Sequence, residues 1–261
     1  MTQDIAYPAL ALLLVVLIPV ALLNRKFQIS INGKMAYAVG RMALQLFLVG
    51  LFLQYIFELN SPLVNTLYLV MMVFVASFST VRSCQLPAKQ MVMIVFVTFG
   101  IPNMLMMLFF NGLIIDLDNL FEAQYYIPIA GMLLGNTLNG NIIGVNHFYD
   151  HLDSHAKAYH YRLCISGSRT EAFMSYYKSA VLSSVNPTLA SLETLGLVAL
   201  PGMMTGQILG GSVPMTAIKY QIAIMIAILA IRYFTIHLTL FMTSKKAFDE
   251  YDLLQLQRES S

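Results

Sequence analysis

Long apolar stretches alternate with shorter polar segments along most of this chain. Each stretch has about the 20 residues that an α-helix needs to cross roughly 30 Å of hydrocarbon. The pattern predicts an all-α polytopic membrane protein with seven transmembrane helices in a single domain, residues 1–261. The predicted spans are 8–23, 37–57, 62–81, 91–110, 127–145, 192–211 and 220–243.

Composition agrees with a membrane protein. Hydrophobic residues make up 58% of the chain and charged residues 11%, and the mean hydropathy is +0.70, values far from those of a soluble domain. The first apolar stretch is predicted to be a span and not a cleaved signal peptide. Its leading segment carries Asp4 and no Lys or Arg, and Leu22, Leu23 and Asn24 offer no small-residue cleavage site.

The charged residues indicate how the chain lies across the membrane. Lys and Arg collect in short cytoplasmic loops because they resist translocation. The predicted inner segments hold Arg25, Lys26, Lys34, Arg82, Lys89, Lys157, Arg162, Arg169, Lys178, Lys245, Lys246 and Arg258. The intervening segments carry acids such as Glu58 and Asp116, so we expect the N-terminus outside and the C-terminus inside. The small net charge of +2 therefore results from positive charges on the predicted inner side and negative charges on the predicted outer side. It implies no nucleic-acid partner.

One connection, residues 146–190, is much longer than the others and is predicted to be a cytoplasmic helical loop. Between residues 148 and 163 apolar positions recur every three or four residues, which predicts a helix that continues the fifth span. The chain then breaks at Ser166-Gly167. Ser168 and Glu171 form a capping-box pattern, which predicts that a second short helix starts there. Alternatively, both helices only link two spans.

A histidine series lies on the first helix of this loop. His147, His151 and His155 recur at four-residue intervals, with Asp150 and Asp153 nearby. This spacing allows two imidazoles to reach one metal ion from one helix face. The alternative is a solvated polar face, because spacing alone is weak evidence and neither a Cys nor a firm third ligand accompanies the histidines.

Several predicted spans contain polar residues, which are unfavourable in hydrocarbon unless they face protein or water. Arg232, midway along the last span, is expected to point into the bundle, toward a carboxylate, a substrate or a packing partner. Arg41 lies one turn into the second span and can reach the inner surface, whereas Gln45, one turn deeper, cannot. Asn136 and Asn139 give the inner half of the fifth span the composition of a lined passage.

The dipeptide Pro201-Gly202 is predicted to interrupt the sixth span and to form a hinge. A proline lacks the N–H that would satisfy a carbonyl of the preceding turn, so protein or water must satisfy it. Close helix packing alone explains the neighbouring Gly206 and Gly210. The sequence has no G-x-x-x-x-G-K-[ST] motif for nucleotide phosphates and no hydrolase motif, so a membrane enzyme is unsupported.

Four motifs carry a resemblance to a known family. They are Gly40-Arg41-x-x-x-Gln45-Leu46-x-x-x-Gly50, Pro128-Ile-Ala-Gly-Met-x-x-Gly-Asn136, Gly196-Leu-Val-x-Leu-Pro-Gly-Met-Met-x-Gly206 and Pro214-x-x-Ala217-Ile-x-Tyr220-Gln221. Over residues 37–243 the chain resembles the FetB family of ABC-transporter permeases, which is related to the plant aluminium-tolerance permeases.

The resemblance implies a non-enzymatic membrane subunit that dimerises and works with a separate ATPase, which binds ATP and Mg. In bacteria such permeases export iron and protect against peroxide stress, which implies a multi-pass protein of the bacterial inner membrane. Plant relatives bear on aluminium tolerance, and their cargo has been argued to be a nucleotide sugar. The resemblance also implies an ATPase-coupling segment formed by Ser166, Gly167, Ser168, Arg169, Glu171 and Phe173.

The chain departs from the family at two places. It has Ser-Gly-Ser where the family has a Gly-Ala-Thr-like turn, and it has Ala190 and Glu193 where relatives carry an acid and a base. We predict that the substrate path is lined by Arg41, Gln45, Asn136, Asn139, Glu193 and Arg232. An iron cargo rests on the resemblance alone, because the sequence shows no convincing metal cage. A metal chelate or a small anion suits the two arginines better than a bare cation.

The alternative function is a stand-alone secondary transporter or channel for a small ion or anion. Arg232 and Glu193 would then serve proton or ion coupling, and the loop 146–190 would be a linker only.

Overall fold

The computed structural model describes residues 5–249 and Leu254. Over these residues the chain is helical, with two isolated bridges, between Leu195 and Ala199 and between Phe248 and Leu254, in place of any strand. The helices are α1 (Tyr7–Leu13), α2 (Leu17–Lys26), α3 (Asn32–Leu59), α4 (Pro62–Ser83), α5 (Ala88–Phe109), α6 (Ala123–Ser154), α7 (Ala156–Ser166), α8 (Arg169–Thr194), α9 (Gly202–Leu209) and α10 (Pro214–Ala247). A 3-10 turn joins α1 to α2, and a π-helical turn, Phe110–Ile114, extends α5.

Five helical segments of the described residues are long and apolar enough to cross a membrane. They are Pro8–Lys26, Asn32–Leu59, Pro62–Ser83, Ala88–Ile114 and Pro214–Ala247. These segments confirm that the first four predicted spans and the last one are helical. The fifth predicted span lies inside α6, which is long enough at 32 residues but is not among the five apolar segments. Its glycines and asparagines explain the lower hydropathy.

The sixth predicted span, residues 192–211, is not a single long helix in the structure. Helix α8 begins at Arg169, as the capping pattern predicts, but it is 26 residues long and not short, and it ends only at Thr194. Residues 195–201 are not helical, and α9 adds just 8 residues. Gly196 has a φ of 82°, a left-handed conformation that ends a helix. Pro201 then directly precedes α9, so the predicted Pro-Gly interruption is confirmed.

Prolines and a glycine also define other helix ends. Helices α4 and α10 begin with Pro62 and Pro214, at a position where the missing proline N–H would have no partner anyway. Helix α7 ends at Ser166 and is followed by Gly167, whose φ of 61° suits glycine. Ser168 is the residue before α8, yet its side chain makes no capping hydrogen bond in the described structure.

Helix α6 lies at the centre of the packed bundle, in contact with α4, α5, α8 and α10. Two glycines on α6 allow this close approach. A Cβ atom on Gly144 would lie 2.5 Å from Ile236 Cδ1 and 3.0 Å from Ser184 Cβ, and a Cβ atom on Gly140 would overlap the Arg232 side chain. Gly140 and Gly144 are therefore required for the close packing of α6.

Helix α3 packs against the bundle only near its C-terminal end. Ile56 is its one buried residue, the Phe52 and Tyr68 rings lie 5.5 Å apart, and the Ala123 N–H donates to Asn60 Oδ1 at 3.0 Å. Every residue from 41 to 50 is exposed in the single chain. The predicted inner half of α3 therefore makes no contact with the bundle.

Candidate functional site

A buried layer of polar side chains joins α6, α8 and α10. Arg232 on α10 is only 5% exposed, and its Nη1 donates a hydrogen bond to Thr188 Oγ1 on α8. Asn141 on α6 donates through Nδ2 to Thr235 Oγ1 at 3.0 Å and to the Thr137 carbonyl at 2.9 Å. The expectation that Arg232 points into the bundle is confirmed by its burial.

This layer has more hydrogen-bonding capacity than the protein uses. Arg232 Nε has no partner, and Thr137 Oγ1, Asn141 Oδ1 and Ser184 Oγ are also buried and unpaired. No carboxylate of the described residues forms an ion pair with Arg232. An unpaired buried polar group costs about 1–3 kcal/mol, and more if it is charged. Such groups in a protein interior are normally bonded to water or to another ligand.

The other predicted path residues occupy different surroundings. Arg41 and Gln45 lie on the free half of α3, and Asn139 and Glu193 are exposed on α6 and α8. Asn136 is half-buried and donates to the Met132 carbonyl of its own helix at 2.9 Å. Arg232 makes no hydrogen bond or ion pair with any of these five residues in the described structure.

The predicted hinge residues border a groove beside α10. Pro201 lines the groove, which has a volume of about 480 Å³, and Gly202 begins α9 next to it. Leu197, in the non-helical segment before them, is 88% exposed. The non-helical segment therefore contributes both to a cavity and to an exposed apolar turn.

An aromatic cluster, formed by Phe148, Tyr159, Phe173 and Phe248, holds together the ends of α6, α7, α8 and α10. The Phe173 ring centroid lies 6.0 Å from that of Phe148 and 6.3 Å from that of Phe248. Tyr159 packs against Phe248 at 5.8 Å. Phe173, one of the residues expected to contact an ATPase, therefore has a structural role within the chain.

The turn between α7 and α8 is ordered by local contacts. Ser166 Oγ donates to the Ser168 carbonyl at 3.1 Å and accepts from the Ser168 N–H at 3.3 Å. The Arg169 guanidinium lies 5.5 Å from the centre of the Phe248 ring. Gly167 and Glu171 are exposed, so they are the members of the predicted coupling segment most accessible to another protein.

The three histidines of the predicted metal candidate stack along one helix face. Ring centroids are 4.1 Å apart for His147 and His151 and 5.7 Å apart for His151 and His155. His147 Nε2 is 2.8 Å from Ser179 Oγ, and His155 Nδ1 is 3.1 Å from the His151 carbonyl. In the described part of the chain no group of three His, Cys, Asp or Glu is arranged to hold a metal ion.

The surroundings of His147 favour a neutral imidazole. Burial lowers its pKa, a positive charge on His151 lowers it further, and Asp150 opposes the shift. His147 lies just beyond the predicted membrane span 127–145. The histidine face is therefore packed against α8 through Ser179 and is not a fully solvated surface.

Sequence reasoning missed Thr188 and Thr235 as partners in the buried layer. Threonines are common in membrane helices, and only the register between α8 and α10 brings Thr188 to Arg232. It also missed Gln221, whose buried amide oxygen has no partner. The amide was visible in the sequence, one residue into the last predicted span.

Comparison with known proteins assigns the chain to a family. The model described as "Uncharacterised protein family (UPF0014)" matches residues 7–248. The chain belongs to the UPF0014 family. It is a multi-pass membrane protein, as the sequence predicts. No solved structure matches it.

Three similar proteins come from two bacteria and a plant. It is 31% identical to UPF0014 membrane protein slr1647 of Synechocystis over 77% of this chain and 78% of the relative. It is 32% identical to Protein ALUMINUM SENSITIVE 3 of Arabidopsis thaliana over 84% of this chain and 78% of the relative. Probable iron export permease protein FetB of Escherichia coli is 27% identical over 95% of this chain and 94% of its own length.

Proposed function

We propose that this chain is the membrane-spanning permease subunit of an ATP-binding-cassette transporter. Two copies work with a separate ATPase, which binds ATP and Mg, to export iron or another metal or metal chelate from the cytoplasm. The observation that carries this proposal is the similarity to the Escherichia coli probable iron export permease over 95% of this chain and 94% of that protein.

Polar residues exposed on the single chain support a homodimer. Gln45 and Asn139 are exposed at positions within the predicted spans 37–57 and 127–145. Contact between such groups and hydrocarbon is unfavourable, so they are expected to face protein or water. A second copy that encloses a polar path would provide both, and a two-fold symmetric dimer is the commonest closed arrangement among soluble homo-oligomers.

The α7–α8 turn supports a cytoplasmic ATPase partner. It carries the exposed Gly167 and Glu171 and is held to the bundle by the aromatic cluster. A force applied at this turn would pass through Phe173 to α6 and α10 and along α8 to Thr188 beside Arg232. This continuous packing would link an ATPase on the predicted cytoplasmic side to the buried layer.

The test of the ATPase partner is affinity purification from native membranes. The protein is expected to bring down a P-loop ATPase in a stoichiometric amount. Gly167→Val strains a φ of 61° and Glu171→Gln removes an exposed charge, so both should weaken the association. Asp118→Asn, on the predicted outer side, is the matched control and should leave it unchanged. Transport that persists without any ATPase would favour the secondary transporter.

The test of the cargo is cellular metal content after iron loading, with and without the protein. We expect more retained iron in cells that lack it. Equal contents of iron, manganese and zinc in the two strains would contradict metal export while leaving the ATPase partnership intact.

A further inference from the structure

The break between α8 and α9 opens a groove against α10. The groove has a volume of about 480 Å³, which lies within the range of about 300–1,000 Å³ typical of small-molecule sites. Its walls are largely apolar and include Leu195, Pro201, Met204, Ile222 and Met225. Neither the proposed path residues nor the buried layer around Arg232 contributes to it, so it is a separate feature of the chain.

The first polar element of the groove is the N-terminus of α9. The N–H groups of the first helical turn, from Gly202 to Met204, have no acceptor within the helix. Pro201, which precedes the helix, provides no side-chain cap. Free N–H groups and the helix dipole together favour an anionic group at such a position. Because α9 has only 8 residues, this end alone would be a weak site.

The second polar element is independent of the first and comes from α10. Gln221 lines the groove and is 8% exposed, and its Oε1 atom has no hydrogen-bond partner. A buried acceptor without a donor costs about 1–3 kcal/mol. A bound molecule with a hydroxyl or N–H group would supply the missing donor.

We propose that this groove binds an amphiphilic anion that also carries a hydrogen-bond donor. The acidic group lies at the N-terminus of α9, the donor bonds to Gln221 Oε1, and an aliphatic or aromatic portion fills the apolar walls. The thioethers of Met204 and Met225 give these walls an adaptable surface. No carboxylate lines the groove in the described structure, which disfavours a bare cation.

Two sources share this ligand chemistry. One is a phospholipid headgroup with an anionic phosphate and hydroxyl donors, such as phosphatidylglycerol. The other is a free hydroxylated acid from the cell. The groove is defined without reference to transport, so binding can be measured whether or not the ATPase partnership is correct.

The test is native mass spectrometry of the purified full-length protein released from detergent micelles, with β-hydroxydecanoate as the probe. Decanoate lacks the donor, and methyl β-hydroxydecanoate lacks the charge. One adduct of β-hydroxydecanoate is expected. Decanoate should bind about two- to tenfold more weakly, the effect of one net hydrogen bond. The methyl ester should also bind more weakly, since it lacks the group attracted to α9.

Four substitutions assign the binding to the groove. Gln221→Leu should remove the preference for β-hydroxydecanoate over decanoate, whereas Gln207→Leu should keep it. Gln207 is the matched control because it lies on α9, has an unpaired Oε1 and does not line the groove. Ile222→Trp should fill the groove and abolish binding of both acids. Gly202→Pro should reduce the preference for the acid over the ester, because proline is accepted at the first helical position but lacks the N–H.

The outcomes also identify the source of the ligand. A co-purified phosphatidylglycerol adduct that Gln221→Leu and Ile222→Trp both remove supports the site with a lipid headgroup as occupant. Displacement of that lipid by β-hydroxydecanoate, or an adduct of the acid alone, supports a free amphiphile. Equal binding to all variants that keep the thermal stability of the parent, or equal binding of acid and ester, would overturn the proposal and indicate partition into the micelle.

Discussion

Replacement of Gly144 by alanine tests the central packing of the fold. The new Cβ atom would lie 2.5 Å from Ile236 Cδ1 and 3.0 Å from Ser184 Cβ, whereas carbon atoms in contact are normally about 3.5–4.0 Å apart. Overpacking of this kind costs about 1–3 kcal/mol. Alanine also favours a helix over glycine by about 1 kcal/mol, which would mask part of this loss.

Gly135→Ala removes that ambiguity. Gly135 lies on the same helix, and nothing lies within 4 Å of a Cβ atom built on it. Both variants gain the same helix propensity, so the difference between their stabilities measures the clash alone. That difference is expected to be about 1–3 kcal/mol, or roughly 2–12 °C in Tm for a chain of this size.

The two cysteines provide the assay. Cys84 is buried and Cys164 is exposed, so a Cys164→Ser background leaves one thiol that reacts with a fluorophore only as the bundle opens. Thermal scans in detergent then give the Tm of each variant. Ile236→Val removes the Cδ1 atom and should recover part of the loss in Gly144→Ala. Equal Tm values for the Gly144 and Gly135 variants, or no recovery with Ile236→Val, would refute the packing described for α6.

Three further predictions follow from the polar layer, the histidine face and the aromatic cluster. Arg232→Met should be close to neutral or stabilising, because it removes a buried charge that has no counterion. Thr188→Val should lower the stability by about 1–3 kcal/mol, because it leaves that charge without a hydrogen-bond partner. Thermal scans of both variants measure these changes. The lowered pKa of His147 means that folding favours the neutral imidazole, so its contribution is present above the unfolded value of about 6.5 and is lost as the pH falls below it. His147→Asn should flatten the fall of Tm between about pH 7 and pH 5. Phe248→Ala should cost about 3–5 kcal/mol and speed limited proteolysis at the α7–α8 turn, while Phe234→Ala, at a position 59% exposed, should do neither.

The sequence predicted the helices that long apolar runs define. Helices α3, α4, α5 and α10 follow directly from such runs, and the turn at Gly167 from its glycine. The sixth predicted span was predicted less well, because the apolar run 192–211 includes residues that are not helical. Gly196 and Pro201 end and restart the helices there, and their effect depends on backbone conformation and not on hydropathy.

In the candidate site, too, some features could be predicted from the local sequence and others could not. The burial of Arg232 could be predicted from its place in an apolar span. Its hydrogen bond to Thr188 depends on the packing register between α8 and α10, which the sequence does not give. The exposure of the inner half of α3, which carries Arg41 and Gln45, was not predictable, since it depends on how the helices pack and not on local sequence. Contacts between residues of different helices therefore depend on long-range packing, which local sequence patterns do not predict.

ATP-driven export is tested most directly in inside-out vesicles of the membrane in which the chain resides. Their outer face corresponds to the cytoplasm, so export appears as accumulation of radioactive iron inside the vesicles. We expect accumulation that requires both this chain and hydrolysable ATP. Accumulation driven by a proton gradient without ATP, or unchanged when the chain is absent, would contradict it.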